Sequence, residues 1–218
     1  MHYFVFQSTF NMESKDYLND ITEIKDLMNK SSRFMSLSGL SGILAGIYAL
    51  IGAWWVYDII YATEMPSKDA YQSIVIYELE MLEIVGVAIA VLLLSIITAL
   101  VLSWRKAKKN NEKLWDATAK RLVLNFMIPL FTGGFFIIFL IEKEIYAFVA
   151  PLTLVFYGLA CVNASKYTLG YVRYLGLTMI VLGLASVWFL GYGLHFWVLG
   201  FGVSHIIYGA LMYFKYEK

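Results

Sequence analysis

Residues Tyr174 to Phe214 form one nearly unbroken apolar stretch, about twice as long as is needed to cross the hydrocarbon core of a bilayer. Four single-length apolar segments precede it: Leu37 to Tyr61, Glu83 to Trp104, Leu122 to Ile141 and Ile145 to Val162. Lipid offers backbone N–H and C=O groups no partners, so segments of this kind have to be helical. The double-length stretch is interrupted by GYGLH, Gly191 to His195, which predicts a tight turn between a fifth and a sixth span. The chain therefore reads as an all-α polytopic membrane protein with six transmembrane helices.

Composition agrees. Of the 218 residues 60% are hydrophobic and 15% charged, against a charged share of about 25% in soluble domains, so there is too little polar surface to face water all round. Six spans joined by short loops use nearly all of residues 35–218 and leave no room for an extramembrane catalytic domain. Residues 1–34 are set apart as an N-terminal segment. Their opening, MHYFVFQSTF, lacks the basic region and small-residue cleavage pattern of a signal peptide, and the mature chain is expected to keep it. Within this segment Tyr17, Leu18, Ile21, Ile24, Leu27 and Met28 recur at helical spacing, with Asp16, Asp20, Glu23, Lys25 and Asp26 on the remaining surface. That pattern predicts an amphipathic helix over 14–30, whose acidic face suits partner docking or covering the bundle better than polybasic lipid sensing.

Orientation follows from charge. The run Arg105 to Arg121 carries seven Lys/Arg against two acids between two apolar segments, which marks a cytoplasmic loop. Fifteen of the 17 Lys/Arg fall in the N-terminal region, this loop, the Lys166 to Arg173 loop and the C-terminus, and only Lys68 and Lys143 lie elsewhere. Six spans with both termini inside satisfy that distribution. Trp54, Trp55, Tyr57 and Tyr61 in span one, with Trp104 in span two, read as interfacial anchors. A formal net charge of +1 gives no support to nucleic-acid binding. Cys161 is the sole cysteine, which excludes an intrachain disulfide and a Cys-rich metal site.

Small residues recur where helices can approach closely: Ser38, Gly42 and Gly46 in span one, with Ala45, Ala49 and Ala53 beside them. Gly86 and Ala90 in span two, and Gly176, Gly183 and Gly191 in and around span five, are read the same way. The triplets FYG, 156–158, and IYG, 207–209, occupy comparable late positions in spans four and six, a faint echo between hairpins.

Span three concentrates Asn125, Pro129, Thr132, Gly133 and Gly134 within ten residues and is the best place for a broken helix. Pro129 cannot donate to the Asn125 carbonyl, which is left for water, a neighbouring side chain or a substrate; Pro151 predicts a similar irregularity in span four. Asn163 meets Asn125 if spans three and four pack together. His205 is the deepest imidazole, suited to a hydrogen bond between helices, a proton relay or ligation of a metal or haem. His195 lies too far along the same helix to share a metal ion with it. Asp58, at the outer end of span one, reaches water or Lys68, and with Glu80 and Glu83 before span two it outlines an outer acidic cluster whose simplest reading is a solvated helix start.

No nucleotide-binding loop, zinc motif, nucleophile elbow, haem attachment or lipidation cysteine is present, so no cofactor is predicted and enzyme chemistry is unsupported by any local motif. The leading expectation is a non-enzymatic accessory or signalling membrane protein. Its partners are membrane lipids and either a protein docked on the cytoplasmic helix or a second copy of the chain. A small-solute transporter or channel subunit, proton-coupled through His205 with Asn125 binding substrate and Pro129 and Pro151 as hinges, is the alternative. A membrane-embedded enzyme built from scattered polar residues is the third.

Overall fold

The structure, a computed structural model, describes Ile21, residues 33–62 and residues 78–218. Apart from Ile21, the amphipathic pattern over 14–30 lies outside the described residues, as do Glu64, Lys68 and Asp69. Among the described residues six helices are long and apolar enough to cross a membrane, and the fold is that of an all-α multi-pass membrane protein. Span one is α1, Gly39–Ala62; span two is α2, Glu78–Lys109; span three is α3, Ala117–Glu142. Span four is α4, Val149–Ala164, with a 3-10 turn at each end, Tyr146–Phe148 and Ser165–Tyr167. Span five is α5, Tyr171–Trp188. Span six is composite: α6, Gly193–Trp197, a π-helical stretch, Val198–Ser204, and α7, His205–Tyr216.

The ends of these helices follow local chemistry. Asp116 has extended backbone and accepts from the Ala119 amide at 2.6 Å, capping α3. Asn111 and Glu144 take positive φ at the turns after α2 and α3, and Gly191 does so between spans five and six, where φ is 94°. That turn falls slightly earlier than GYGLH predicts, because His195 already lies within α6. The basic loop is also shorter than its charge pattern implies: Arg105 to Lys109 continue α2 and Lys120 and Arg121 belong to α3, so only 110–116 connect them.

Neighbours along the bundle run in the order span two, one, six, five, four, three, with span six also meeting span four through α6. Span six is thus interior and spans two and three lie at the two margins. Spans one and six meet on glycine. A Cβ on Gly42 would stand 3.2 Å from the Gly209 Cα, and one on Gly209 would stand 2.6 Å from the Ile43 nitrogen. The predicted stripe of span one is therefore a packing face, with Ala49 and Ala53 buried beside it. Spans four and five repeat the device with Gly158 and Gly176, each against the other's carbonyl. Leu154, Leu175 and Met179 are buried at the centre, with Tyr157, Phe201 and Tyr208 packed around them.

Span two departs from expectation. Gly86 has nothing within 4 Å of where its Cβ would be, and Ala90 is exposed. A small residue makes a close contact only where a second helix arrives, and here none does.

Candidate functional site

His205 stands at the point where the π-helical stretch passes into α7 and is buried. Its Nδ1 lies 3.1 Å from the Gly200 carbonyl oxygen and its Nε2 2.8 Å from the Tyr157 hydroxyl on span four. A carbonyl can only accept, so Nδ1 carries the proton and Nε2 accepts the phenolic O–H. Both ring nitrogens are thereby occupied, and binding a metal ion or haem iron would require breaking one of these bonds. Cys161, one turn beyond Tyr157, is also buried. Phe201 stacks on the imidazole at 5.7 Å between centroids, and Tyr157 packs on Phe201 at 5.0 Å.

The wide π turn leaves carbonyls that an α-helix would hold differently, and side chains five residues on engage them. Ser204 donates to the Leu199 carbonyl at 2.8 Å, next to the His205 contact with Gly200. Gly200 makes the turn possible in this setting, because a Cβ there would enter the space of Leu154 and Met179. Gly200, Gly202 and Ser204 of the irregular stretch are buried in protein, the condition under which a membrane interior tolerates such backbone.

Span three has a different geometry from the predicted break. The helix α3 runs from Ala117 to Glu142 straight through Pro129. The Asn125 carbonyl that Pro129 cannot serve accepts instead from Asn163 Nδ2 of span four at 2.8 Å. The Asn125 amide itself donates to the Arg121 carbonyl at 2.8 Å, and Thr132 donates to Ile128 at 2.9 Å. Gly133 and Gly134 part company: a Cβ on Gly133 would enter the Phe156 ring, whereas Gly134 faces open space. Pro151 is buried in the first turn of α4, where a missing N–H costs no helical bond. Asn125 on span three and His205 on span six therefore both bond to span four, Asn125 through Asn163 and His205 through Tyr157.

No protein-family model, no curated protein and no solved structure matches this chain. The residues are read on their own geometry.

Asp58 and Glu83 are both exposed, and among the described residues no group of three or more His, Cys, Asp or Glu side chains is placed to hold a metal ion. Glu80 is half-buried at the start of α2.

The end of the bundle that carries the basic loop, the basic end, is knitted together by residues the sequence pattern does not single out. Glu217 accepts from the Gly39 amide and from Ser38 Oγ at 3.2 Å, so the last acid of the chain caps the first span. Lys106 Nζ meets the same carboxylate at 3.3 Å and donates to the Leu37 carbonyl at 2.8 Å. Phe34 and Thr168 exchange with each other's segment: the Phe34 amide donates to Tyr167 at 2.7 Å and Thr168 Oγ1 to Phe34 at 3.1 Å. Ser36 donates to Glu112. Beside these contacts lies a cavity of about 430 Å3, walled by Arg33 and Ser36, the last turn of α2, the 110–116 connection and Tyr216.

Tyr157 was within reach of sequence reasoning through the FYG triplet. It bonds His205, the other Tyr-Gly tyrosine, Tyr208, bonds Thr178 at 3.0 Å, and each following glycine packs on a neighbouring backbone. Spacing within one helix carries no information about which other helix supplies the partner, so neither pairing was predictable from it.

Proposed function

We propose that this chain is a non-catalytic accessory protein of the membrane, with both termini and the basic end on the cytoplasmic side, where it meets its partner. One observation carries the reading. Asn125, Asn163, Thr132 and His205, the polar groups that a transport path would need, are bonded to other groups of the same chain. The Lys and Arg side chains concentrate at the basic end, and the positive-inside tendency puts such an end in the cytoplasm. The segment over 14–30 is the proposed docking element, and Asp58, Glu80 and Glu83 are a solvated outer face.

The test is native mass spectrometry of the full-length protein extracted in mild detergent from its own membrane, joined to solute uptake in proteoliposomes. A defined complex, either with a partner or with a second copy, is expected to survive His205→Gln and to be lost when residues 14–30 are removed. Uptake of a solute that His205→Gln or Asn163→Ala abolishes would overturn the reading. The carrier alternative rests on one specific observation, the π-helical stretch Val198–Ser204, because such turns cluster at functional sites. In that alternative His205 couples a proton and the turn changes register.

A further inference from the structure

We propose that the cavity at the basic end binds a phosphate group, as a monoester or diester anion; the inference rests on the cytoplasmic placement of that end and not on the accessory role. The cavity's volume of about 430 Å3 lies within the range of about 300 to 1,000 Å3 typical of ligand pockets. Two of its wall residues are held in place, Ser36 by Glu112 and Lys106 by Leu37 and Glu217.

The chemistry of the lining selects the ligand. Three cations, Arg33, Lys106 and Lys113, reach the cavity from the segment before span one, the end of span two and the connection that follows it. Lys106 directs two of its three donors to Leu37 and Glu217 and keeps one. Among the described residues Arg33 and Lys113 have no hydrogen bond or ion pair, and they add up to eight N–H donors. Each of the two acids of the wall accepts one hydrogen bond, Glu112 from Ser36 and Asp116 from the Ala119 amide, and keeps its charge. Three cations against two acids leave the wall one net positive charge, and the cations come from three separate segments. A phosphate offers oxygens in three directions to match, where a planar carboxylate offers two in one plane.

Position agrees with the chemistry. The cavity lies past Trp104, which is exposed at that end of span two with Lys108 Nζ 5.5 Å from its ring. Aromatic and basic side chains of this kind mark the headgroup layer, and basic pockets between membrane helices on that side hold phosphate headgroups. The same chemistry admits a lipid headgroup or a soluble phosphate, and the experiment separates them.

Full-length protein, stripped of lipid in neutral detergent, is titrated in one arm with micelles containing phosphatidylglycerol and in the other with inorganic phosphate against chloride at equal ionic strength. Binding is read by native mass spectrometry and by the rise in melting temperature. Arg33→Gln with Lys113→Gln is expected to weaken binding about 25-fold, from about fivefold for each cation removed. Lys166→Gln with Arg173→Gln removes two cations from the same side and is expected to leave binding within about twofold. Loss in the first pair alone supports the site, the phosphatidylglycerol arm indicating a headgroup and the inorganic phosphate arm a soluble ligand. Equal weakening in both pairs, or no binding of either probe by the parent protein, overturns it. Asn110→Asp, which keeps every cation and sets a carboxylate in the wall, is expected to weaken binding about fivefold, and unchanged binding in that variant overturns the proposal even if the double variant fails to fold.

Discussion

Span two and span six solve opposite problems with the same secondary structure. The most apolar window of span two has a mean hydropathy of 3.0 and none of it is buried in protein, whereas span six reaches only 1.4 with 28% buried. Span two is a 32-residue α-helix, about 48 Å at 1.5 Å per residue, that packs on span one and otherwise presents Leu92, Leu93, Ile97 and Leu100 to lipid. Span six carries Gly200, Gly202, Ser204, His205 and Gly209 on its buried surface and departs from α geometry to fit. Hydropathy therefore measures exposure to acyl chains more than contribution to the fold. Lipid tails are as apolar as leucine, so close packing and hydrogen bonds, rather than apolarity, hold the helices together.

The largest test of that contrast is a glycine pair. Gly209→Val places two methyl groups against the Ile43 nitrogen and the Gly39 carbonyl, backbone atoms that cannot swing away, and is expected to destabilise by about 3 kcal/mol or more. Gly86→Ala in span two meets nothing and is expected to be neutral or to stabilise by up to about 1 kcal/mol through helix propensity. Reversible unfolding in mixed micelles measures both. Similar losses at the two sites would abolish the distinction between an interior and a marginal span.

A smaller effect is expected from the carbonyl that Pro129 orphans. Asn163→Ala leaves the Asn125 oxygen without its donor, at about 1 to 2 kcal/mol. Pro129→Ala restores a backbone N–H in the right place, so the cost of Asn163→Ala should fall by at least half in that background. Additive losses in the four-protein cycle would show that Asn163 acts elsewhere. Next comes the pair that joins spans four and six: the coupling between Tyr157→Phe and His205→Phe is expected at about 0.6 to 1.7 kcal/mol, from the mean to the maximum found for hydrogen bonds between membrane helices. A coupling near zero in the same unfolding assay would remove the bond from the stability of the bundle.

Several of these contacts were legible in the sequence, and the exceptions share a cause. The spans were readable because lipid imposes helical backbone on any apolar stretch of sufficient length. The glycine stripe of span one was readable because Ser38, Gly42 and Gly46 keep one face small. The meeting of Asn163 with the Asn125 carbonyl followed from two local facts, a proline that withholds a donor and an amide at matching depth on the next span. The same reasoning failed at Gly86 and Ala90, where pattern is identical but no helix lies opposite. It also missed the π turn, because nothing in VLGFGVS distinguishes a wide turn from an α-helical one until Leu154 and Met179 are in place. Glu217 escaped notice because its partners Ser38, Gly39 and Lys106 are far away in sequence.

Two serines sharpen the comparison at the small end of the scale. Ser95 on span two donates to the Val91 carbonyl one turn back at 2.7 Å, a bond internal to its own helix. Ser186 on span five is wholly buried, and its hydroxyl has no hydrogen-bond partner among the described residues. A buried hydroxyl without a partner carries its desolvation cost uncompensated, so replacing it with hydrogen removes a penalty and leaves only a small void. Ser186→Ala is expected to stabilise the protein by about 1 kcal/mol, while Ser95→Ala should change stability by no more than about 0.5 kcal/mol. Chemical unfolding of the two variants beside the parent decides it. A loss on Ser186→Ala would mean that the hydroxyl finds a partner in the membrane, and that span five is held by one more polar contact than its geometry shows.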